Sequence, residues 1–80
     1  MILEVTRGHI LFKHKNNIVS IPGEMFFPPG NKMGFAVFKG EIKNWCAPND
    51  AILLTSFEID EVVAAVKKEF DAGGNSLEIE

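Results

Sequence analysis

Residues 34–45 read GFAVFKGEIKNW, and this stretch decides the fold. Four apolar residues between its glycines are typical of a short strand that is buried on both faces. Side chains alternate along a strand, so Phe35 and Val37 share one face, and Ala36 and Phe38 share the other. The chain contains one convincing helix, and one helix covers one face of a sheet. The opposite face therefore needs either the Met25–Pro29 segment or another molecule to cover it.

Three strands are predicted before this stretch, at Ile2–Thr6, His9–His14 and Ile18–Ile21. The turns between them are too short for a parallel crossover, so the three strands form an antiparallel meander. Pro22-Gly23 is expected to end the third strand, because proline donates no ladder hydrogen bond.

Glu24–Met33 is predicted to be a loop, since two prolines and a glycine interrupt regular structure there. It nevertheless carries Met25, Phe26 and Phe27, and large apolar side chains are not normally left in water. The segment either folds back over the free face of the strand at Gly34 or forms a contact surface. Both interpretations stay open at this stage.

A helix is predicted to begin at Thr55, which has capping-box spacing with Glu58. One apolar stripe recurs at helical spacing and faces the sheet: Ile59, Val62, Val63, Val66 and Phe70. Gly73-Gly74 ends the helix. The alternating tail Leu77–Glu80 is expected to add an edge strand.

Two shorter segments complete the prediction. Glu41–Trp45 is predicted to be a turn or a single helical turn, and Ala51–Leu54 a further short strand. The predicted class is α+β: a small antiparallel sheet of about five strands, with one C-terminal amphipathic helix packed on one face. Eighty residues are enough for one modest core, so residues 1–80 are expected to form a single domain.

The amino-acid composition of the chain excludes several classes of function. The formal net charge is −3 and the basic residues are scattered, which argues against a nucleic-acid partner. No apolar run approaches the roughly 20 residues of a membrane span. The N-terminus also lacks a signal-peptide pattern, and the single cysteine, Cys46, forms no intrachain disulfide. A cytoplasmic location is therefore expected.

Catalytic chemistry is poorly represented. His9 and His14 are five positions apart and point to opposite faces of one strand, so they do not suggest a metal site. Cys46 paired with a histidine would need a third orienting group that no motif supplies. A phosphate-binding glycine loop is also missing from the sequence. We predict no catalytic, cofactor-binding or metal-binding residues, and a protein that is not an enzyme.

The remaining class of function is recognition of another molecule at the protein surface. Trp45 is the only tryptophan, and tryptophan is the residue type most enriched among binding hot spots. Two interpretations of Trp45 stay open: it plugs one end of the core, or it contacts a partner directly.

Three short motifs resemble one family: Ile21–Glu24, Ile42–Trp45 after the central strand, and Glu4–Gly8 at the start. With the acidic amphipathic helix, they are similar to the bacterial immunity proteins known as immunity protein 74. These are associated with polymorphic-toxin systems. The resemblance implies that the protein binds a cognate toxin and blocks it stoichiometrically.

Aromatic side chains in polar loops suggest which residues contact this toxin: Trp45, Asn44, Phe26, Phe27 and Glu24. The alternative is a self-associating structural domain, a homodimer whose copies pair through an open sheet edge.

Overall fold

A computed structural model describes residues 1–30 and 32–80. Asn31, in the predicted Glu24–Met33 loop, lies outside the described residues. Within those residues the chain forms five strands and one α-helix: β1 (Ile2–Val5), β2 (His9–His14), β3 (Asn17–Phe26), β4 (Gly34–Val37), α1 (Ser56–Ala72) and β5 (Ser76–Ile79). A short 3₁₀ helix, Lys39–Glu41, follows β4. The predicted α+β class is confirmed.

The strands form one sheet in the order β1-β2-β3-β4-β5. The first four strands pair antiparallel, as predicted. The prediction of an antiparallel sheet is wrong for the fifth strand, because β4 and β5 pair parallel. The sheet is therefore mixed, because α1 lies between β4 and β5 in the chain and provides the crossover that a parallel pair requires. The predicted role of the C-terminal tail as an edge strand is confirmed.

The β2–β3 hairpin has a two-residue turn. Lys15 and Asn16 have φ angles of 50° and 68°. Positive φ at both central residues matches the right-handed twist of the strands that the turn connects. The turn places His14 opposite Asn17, which fixes the register of the hairpin.

The prediction that Pro22-Gly23 ends the third strand is wrong, because β3 continues to Phe26. Pro22 lies where the register passes from β2 partners to β4 partners. Its carbonyl still accepts a hydrogen bond from Phe38 N–H at 2.9 Å, and Gly23 N–H donates to the Gly8 carbonyl at 3.1 Å. The strand thus tolerates proline at this changeover, and the predicted loop begins only after Phe26.

Helix α1 begins as the sequence predicts. Glu58 N–H donates to Thr55 Oγ1 at 3.1 Å, and Thr55 N–H donates to Glu58 Oε1 at 2.9 Å, which completes the capping box. Four residues of the predicted stripe are buried, and the fifth, Ile59, packs half-buried against the core. The helix ends before Gly74, whose φ of 76° favours glycine.

The core lies between α1 and one face of the sheet. From the strands it contains alternate residues: Ile10, Phe12, Val19, Ile21, Phe35, Val37 and Leu77. The residues between them lie on the opposite face, which we call the open sheet face: Glu4, Leu11, Lys13, Ile18, Ser20, Glu24, Phe26, Ala36 and Glu78. The charged side chains of this set are exposed, whereas Leu11, Ile18 and Phe26 are half-buried.

Strand β4 is buried on both faces, as predicted. On the core side lie Phe35 and Val37. On the open sheet face, the ring of Phe26 lies over Gly34, and Ala36 is only 8% exposed. The Met25–Pro29 segment thus covers part of β4 through the ring of Phe26. Phe26 is the last residue of β3 and not a loop residue.

The segment between β4 and α1 is less regular than predicted. The 3₁₀ helix falls at Lys39–Glu41, just before most of the predicted Glu41–Trp45 turn. In place of a strand at Ala51–Leu54 there is a single bridge between Asn44 and Leu53.

Candidate functional site

Three of the predicted partner-binding residues come together at the end of β3. Glu24 is exposed on the open sheet face, and Phe26 lies two residues further along the same face. Phe27 follows directly and is 77% exposed. An exposed carboxylate, a half-buried ring and an exposed ring therefore occupy four consecutive positions with only Met25 between them.

The other two predicted residues lie elsewhere. Trp45 forms a bridge with Val19 at the opposite half of β3, and Asn44 precedes it. At a rise of about 3.3 Å per residue, Val19 and Phe26 are about 23 Å apart along the strand. The five predicted residues therefore form two separate groups and not one site.

Trp45 is a core residue. It is 5% exposed and belongs to the main hydrophobic cluster. The backbone N–H of Trp45 donates to the Ile52 carbonyl at 3.1 Å, and this hydrogen bond fixes the segment that carries the tryptophan. Asn44, by contrast, is exposed, and its side-chain amide donates to the Asp50 carbonyl at 3.0 Å. A partner has direct access to Asn44, whereas it reaches Trp45 mainly through the groove described next.

A groove of about 240 Å³ opens between the β2–β3 turn and the start of α1. Trp45 lines it together with Phe57, which is 70% exposed, and His14. His14 Nε2 lies 3.3 Å from Glu61 Oε1, and Lys15 Nζ lies 3.7 Å from the same oxygen. One oxygen of the Glu61 carboxylate thus lies beside two basic side chains of this chain.

Sequence reasoning missed an exposed apolar segment at the start of α1. Ile52, Leu53 and Phe57 are 55%, 64% and 70% exposed, and they lie within six consecutive residues. The sequence could have predicted that Phe57 is exposed, because Phe57 lies two positions before Ile59 and so falls outside the apolar stripe of α1. It could not have predicted that Ile52 and Leu53 are exposed, because an apolar run is equally typical of a buried strand.

A second, wider cavity of about 480 Å³ lies between the 3₁₀ helix and the start of α1. Lys39 and Asp60 form an ion pair at its wall, and Glu80 also lines it. Both partners of the pair are well exposed, so solvent screens it and it contributes little to stability.

The groups considered for catalysis do not assemble in the described part of the chain. His9 contacts Glu4 at 3.2 Å and Thr6 Oγ1 at 3.1 Å, while His14 contacts Glu61. Cys46 is half-buried, and neither histidine is among its hydrogen-bond partners there. Residues 1–30 and 32–80 also contain no group of three or more potential metal ligands.

Within the same described residues, no helix has both the length and the apolar character that crossing a bilayer demands.

These features define a small α+β domain whose candidate functional regions are surfaces: the end of β3 on the open sheet face, and the groove beside Trp45. Comparison with models of protein families identifies the family of this chain. Residues 2–80 match the family model described as immunity protein 74, and the chain belongs to that family. Comparisons with curated proteins and with solved structures gave no match.

Proposed function

We propose that this protein neutralises a cognate toxin by binding it in a one-to-one complex that blocks the toxin's action. The observation that carries this proposal is the family match, which spans residues 2–80. Blockade by occlusion requires a complementary surface and no reactive group of the inhibitor. The protein therefore acts as a binding protein and not as an enzyme.

The partner-binding role of Glu24, Phe26 and Phe27 is part of the proposal. Affinity in protein complexes is dominated by a few well-packed anchors, with aromatic residues over-represented among them. An exposed aromatic ring beside an exposed carboxylate offers both an apolar and a polar anchor. Asn44 is proposed as a contact at the other half of β3, and Trp45 as the residue that holds that half in shape.

The cellular location of the protein is also part of the proposal. We place the protein in the bacterial cytoplasm, where it meets a toxin made by the same cell or delivered by a neighbouring one, as in polymorphic-toxin systems. An acidic protein whose basic residues are scattered along the sequence is suited to a protein partner and not to nucleic acid.

Self-association is the second candidate function. Strand β5 is the last strand of the sheet order, and Ile79 on it is 48% exposed. An edge strand can pair with the same strand of a second copy. Light scattering coupled to size exclusion separates the two functions: a stable dimer in the absence of any partner favours self-association.

The test of toxin neutralisation first searches the genes adjacent to the gene for this chain for a toxin-like protein and then uses the C-terminal domain of that protein. That domain is expressed from an inducible promoter in a bacterial host, with this chain or with an empty vector. We expect growth arrest with the empty vector and growth with this chain. A purified one-to-one complex, measured by light scattering, is the second expected result. Growth arrest despite a soluble, folded chain would refute the proposal.

A further inference from the structure

The two edges of the sheet are finished differently. At the β1 edge, the pairing with β2 shifts register between Ile2 and Glu4. The backbone N–H of Ile2 also donates to Glu69 Oε1 of α1 at 3.1 Å. A register shift and a capped N–H both hinder a further strand from pairing with an edge. The β1 edge is therefore protected where it begins.

The β5 edge has neither feature. Strand β5 pairs with β4 without a register shift, and β4 is its only neighbour in the described sheet. Glu80 N–H donates to the Val37 carbonyl at 2.8 Å, and the Glu80 carbonyl accepts from Lys39 N–H at 3.2 Å. Both backbone groups of Glu80 thus face the β4 side. Because successive residues of a strand alternate in direction, both backbone groups of Leu77 and Ile79 face the open edge.

The backbone groups at this edge fit an extended peptide. Leu77 and Ile79 together present two donors and two acceptors, and the two residues are about 6.6 Å apart along the strand. A second extended backbone repeats its donors and acceptors at the same spacing, which is why open edges recruit strands. The Leu77 side chain belongs to the core and holds the edge in place, while Ile79 is 48% exposed and adds apolar surface.

A second copy of β5 fits this edge poorly. In a dimer with a two-fold axis across the edge the two strands run antiparallel, and residues whose backbone groups face the edge lie opposite one another. Pairing Leu77 with Ile79 of the second copy satisfies all of these groups. It also places Glu78 opposite Glu78, with Cα atoms about 4.5 Å apart. Like charges directly opposite each other destabilise a strand pair.

The two neighbouring registers are no better for a second copy. Pairing Ile79 with Ile79 places Glu78 opposite Glu80. Pairing Leu77 with Leu77 brings Asn75 opposite Ile79, but Asn75 N–H already donates to the Phe70 carbonyl at 2.8 Å. The glutamates of β5 thus disfavour pairing with a copy of itself, whereas a strand without an acid at these positions meets no such repulsion.

The β5 edge begins at the same end of the sheet as the proposed toxin contacts on β3. Phe26 pairs with Gly34, and Gly34 pairs with Ser76 at the start of β5. With about 4.8 Å between strands, Phe26 and Ser76 are about 10 Å apart. An interface of standard size covers about 800 Å² on each partner, so one partner can contact both Phe27 and the β5 edge.

We infer that the toxin contributes an extended segment that pairs with β5 as a sixth strand of the sheet, with no acidic residue opposite Glu78. This inference rests on the proposed function and adds the binding edge and the backbone chemistry of the partner. The segment exchanges hydrogen bonds with the N–H and C=O groups of Leu77 and Ile79. The side chains at the end of β3 supply further contact area beside it.

The first test separates the backbone of Ile79 from its side chain. Ile79→Pro removes the N–H that faces the edge, and an edge strand tolerates proline where the missing N–H faces outward. Ile79→Ala is the matched control, because it also removes the isoleucine side chain but keeps the N–H. We expect Ile79→Pro to bind the toxin domain about tenfold more weakly than Ile79→Ala. Calorimetry measures both affinities, and thermal unfolding checks that both variants are folded.

Amide hydrogen exchange of the wild-type chain is the second test and needs no variant. In the free protein, Leu77 and Ile79 should exchange faster than Glu78, whose N–H faces β4. A saturating amount of the toxin domain should slow exchange at Leu77 and Ile79 by about 100-fold and change Glu78 little. This alternation is specific to strand pairing, because a side-chain contact does not select every second amide.

Unchanged exchange at Leu77 and Ile79 in a complex that forms would overturn the inference while leaving the proposed function intact. Equal affinity of the folded Ile79→Pro and Ile79→Ala variants would do the same. Slow exchange at both amides without toxin, in a dimer that forms as the protein concentration rises, would assign the edge to a second copy and also overturn the inference. Failure of the wild-type chain to bind or protect would overturn the proposed function, and this inference with it.

Discussion

The ring of Phe26 lies over Gly34, in the space that a side chain at position 34 would occupy. The two residues are register partners on β3 and β4. This contact explains how β4 is buried on both faces although α1 covers only one of them. The second face of β4 therefore needs no other molecule to cover it.

Glycine substitutions should destabilise the protein in a defined order. A Cβ at Gly23 would collide with the Ala36 carbonyl and the fully buried Phe35 ring, neither of which can move. At Gly34 the nearest atoms it would meet belong to the half-buried Phe26 ring, which can swing outward. We expect Gly23→Ala to cost about 3 kcal/mol and Gly34→Ala about 1 kcal/mol. Gly40→Ala is the matched control, with open space at its Cβ and an expected change within about 0.5 kcal/mol.

Urea unfolding measures the three free energies. Phe26→Ala combined with Gly34→Ala supplies a second check, because removing the ring removes the collision. The combined variant should lose less stability than the sum of its two single changes. An additive result, or a Gly40→Ala cost equal to that of Gly23→Ala, would contradict the packing described here.

Trp45→Ala should lower the stability of the protein, and any loss of toxin binding should follow from that loss of stability. Truncating a buried tryptophan costs about 3–5 kcal/mol. At about 0.05–0.15 kcal/mol per residue, the whole stability of a chain of this length is about 4–12 kcal/mol. We expect Trp45→Ala to lose a large part of that stability, and Trp45→Phe to be folded and to protect against the toxin. Circular dichroism and the growth assay test this, and a folded Trp45→Ala that fails to bind would instead show a direct contact.

Local patterns predicted the elements that depend on neighbouring residues. The capping box at Thr55, the stripe of α1 and the β2 strand at His9–His14 each follow from periodicity or spacing within a few residues. The end of β3 did not follow, because proline normally terminates a strand. Pro22 is tolerated only because of where β2 and β4 pair with β3, and that depends on long-range register.

The candidate surface was harder to predict than the fold. Glu24 and Phe26 were chosen as loop residues and lie on a strand, and β5 was not chosen as a toxin contact. Phe26 and Ser76 are 50 positions apart, and they lie at the same end of the sheet only because β5 pairs parallel to β4. A sequence pattern cannot contain this information, since the pairing depends on the crossover through α1. The family was identified from short motifs and is confirmed over residues 2–80.

Thr55→Ala should destabilise the protein by about 1 kcal/mol. The substitution removes the oxygen that accepts the Glu58 N–H and leaves one donor of the first turn without its cap. Ser56→Ala changes the adjacent hydroxyl without touching the cap and should have an effect within about 0.5 kcal/mol. Thr55→Ser should retain most of the stability because it keeps the oxygen. Thermal unfolding distinguishes the three, and equal losses at Thr55 and Ser56 would show that the capping box contributes nothing.

Phe27 and Phe57 form a matched pair for locating the toxin contact. Both rings are exposed, at 77% and 70%, so replacing either by serine should change the free energy of unfolding by no more than about 0.5 kcal/mol. Phe27 follows Phe26 at the end of β3, whereas Phe57 lines the groove beside Trp45. If the toxin contacts the end of β3, Phe27→Ser should weaken binding about tenfold and Phe57→Ser should leave it unchanged. Calorimetry with the toxin domain gives both values, and the reverse pattern would move the contact to the groove at the start of α1.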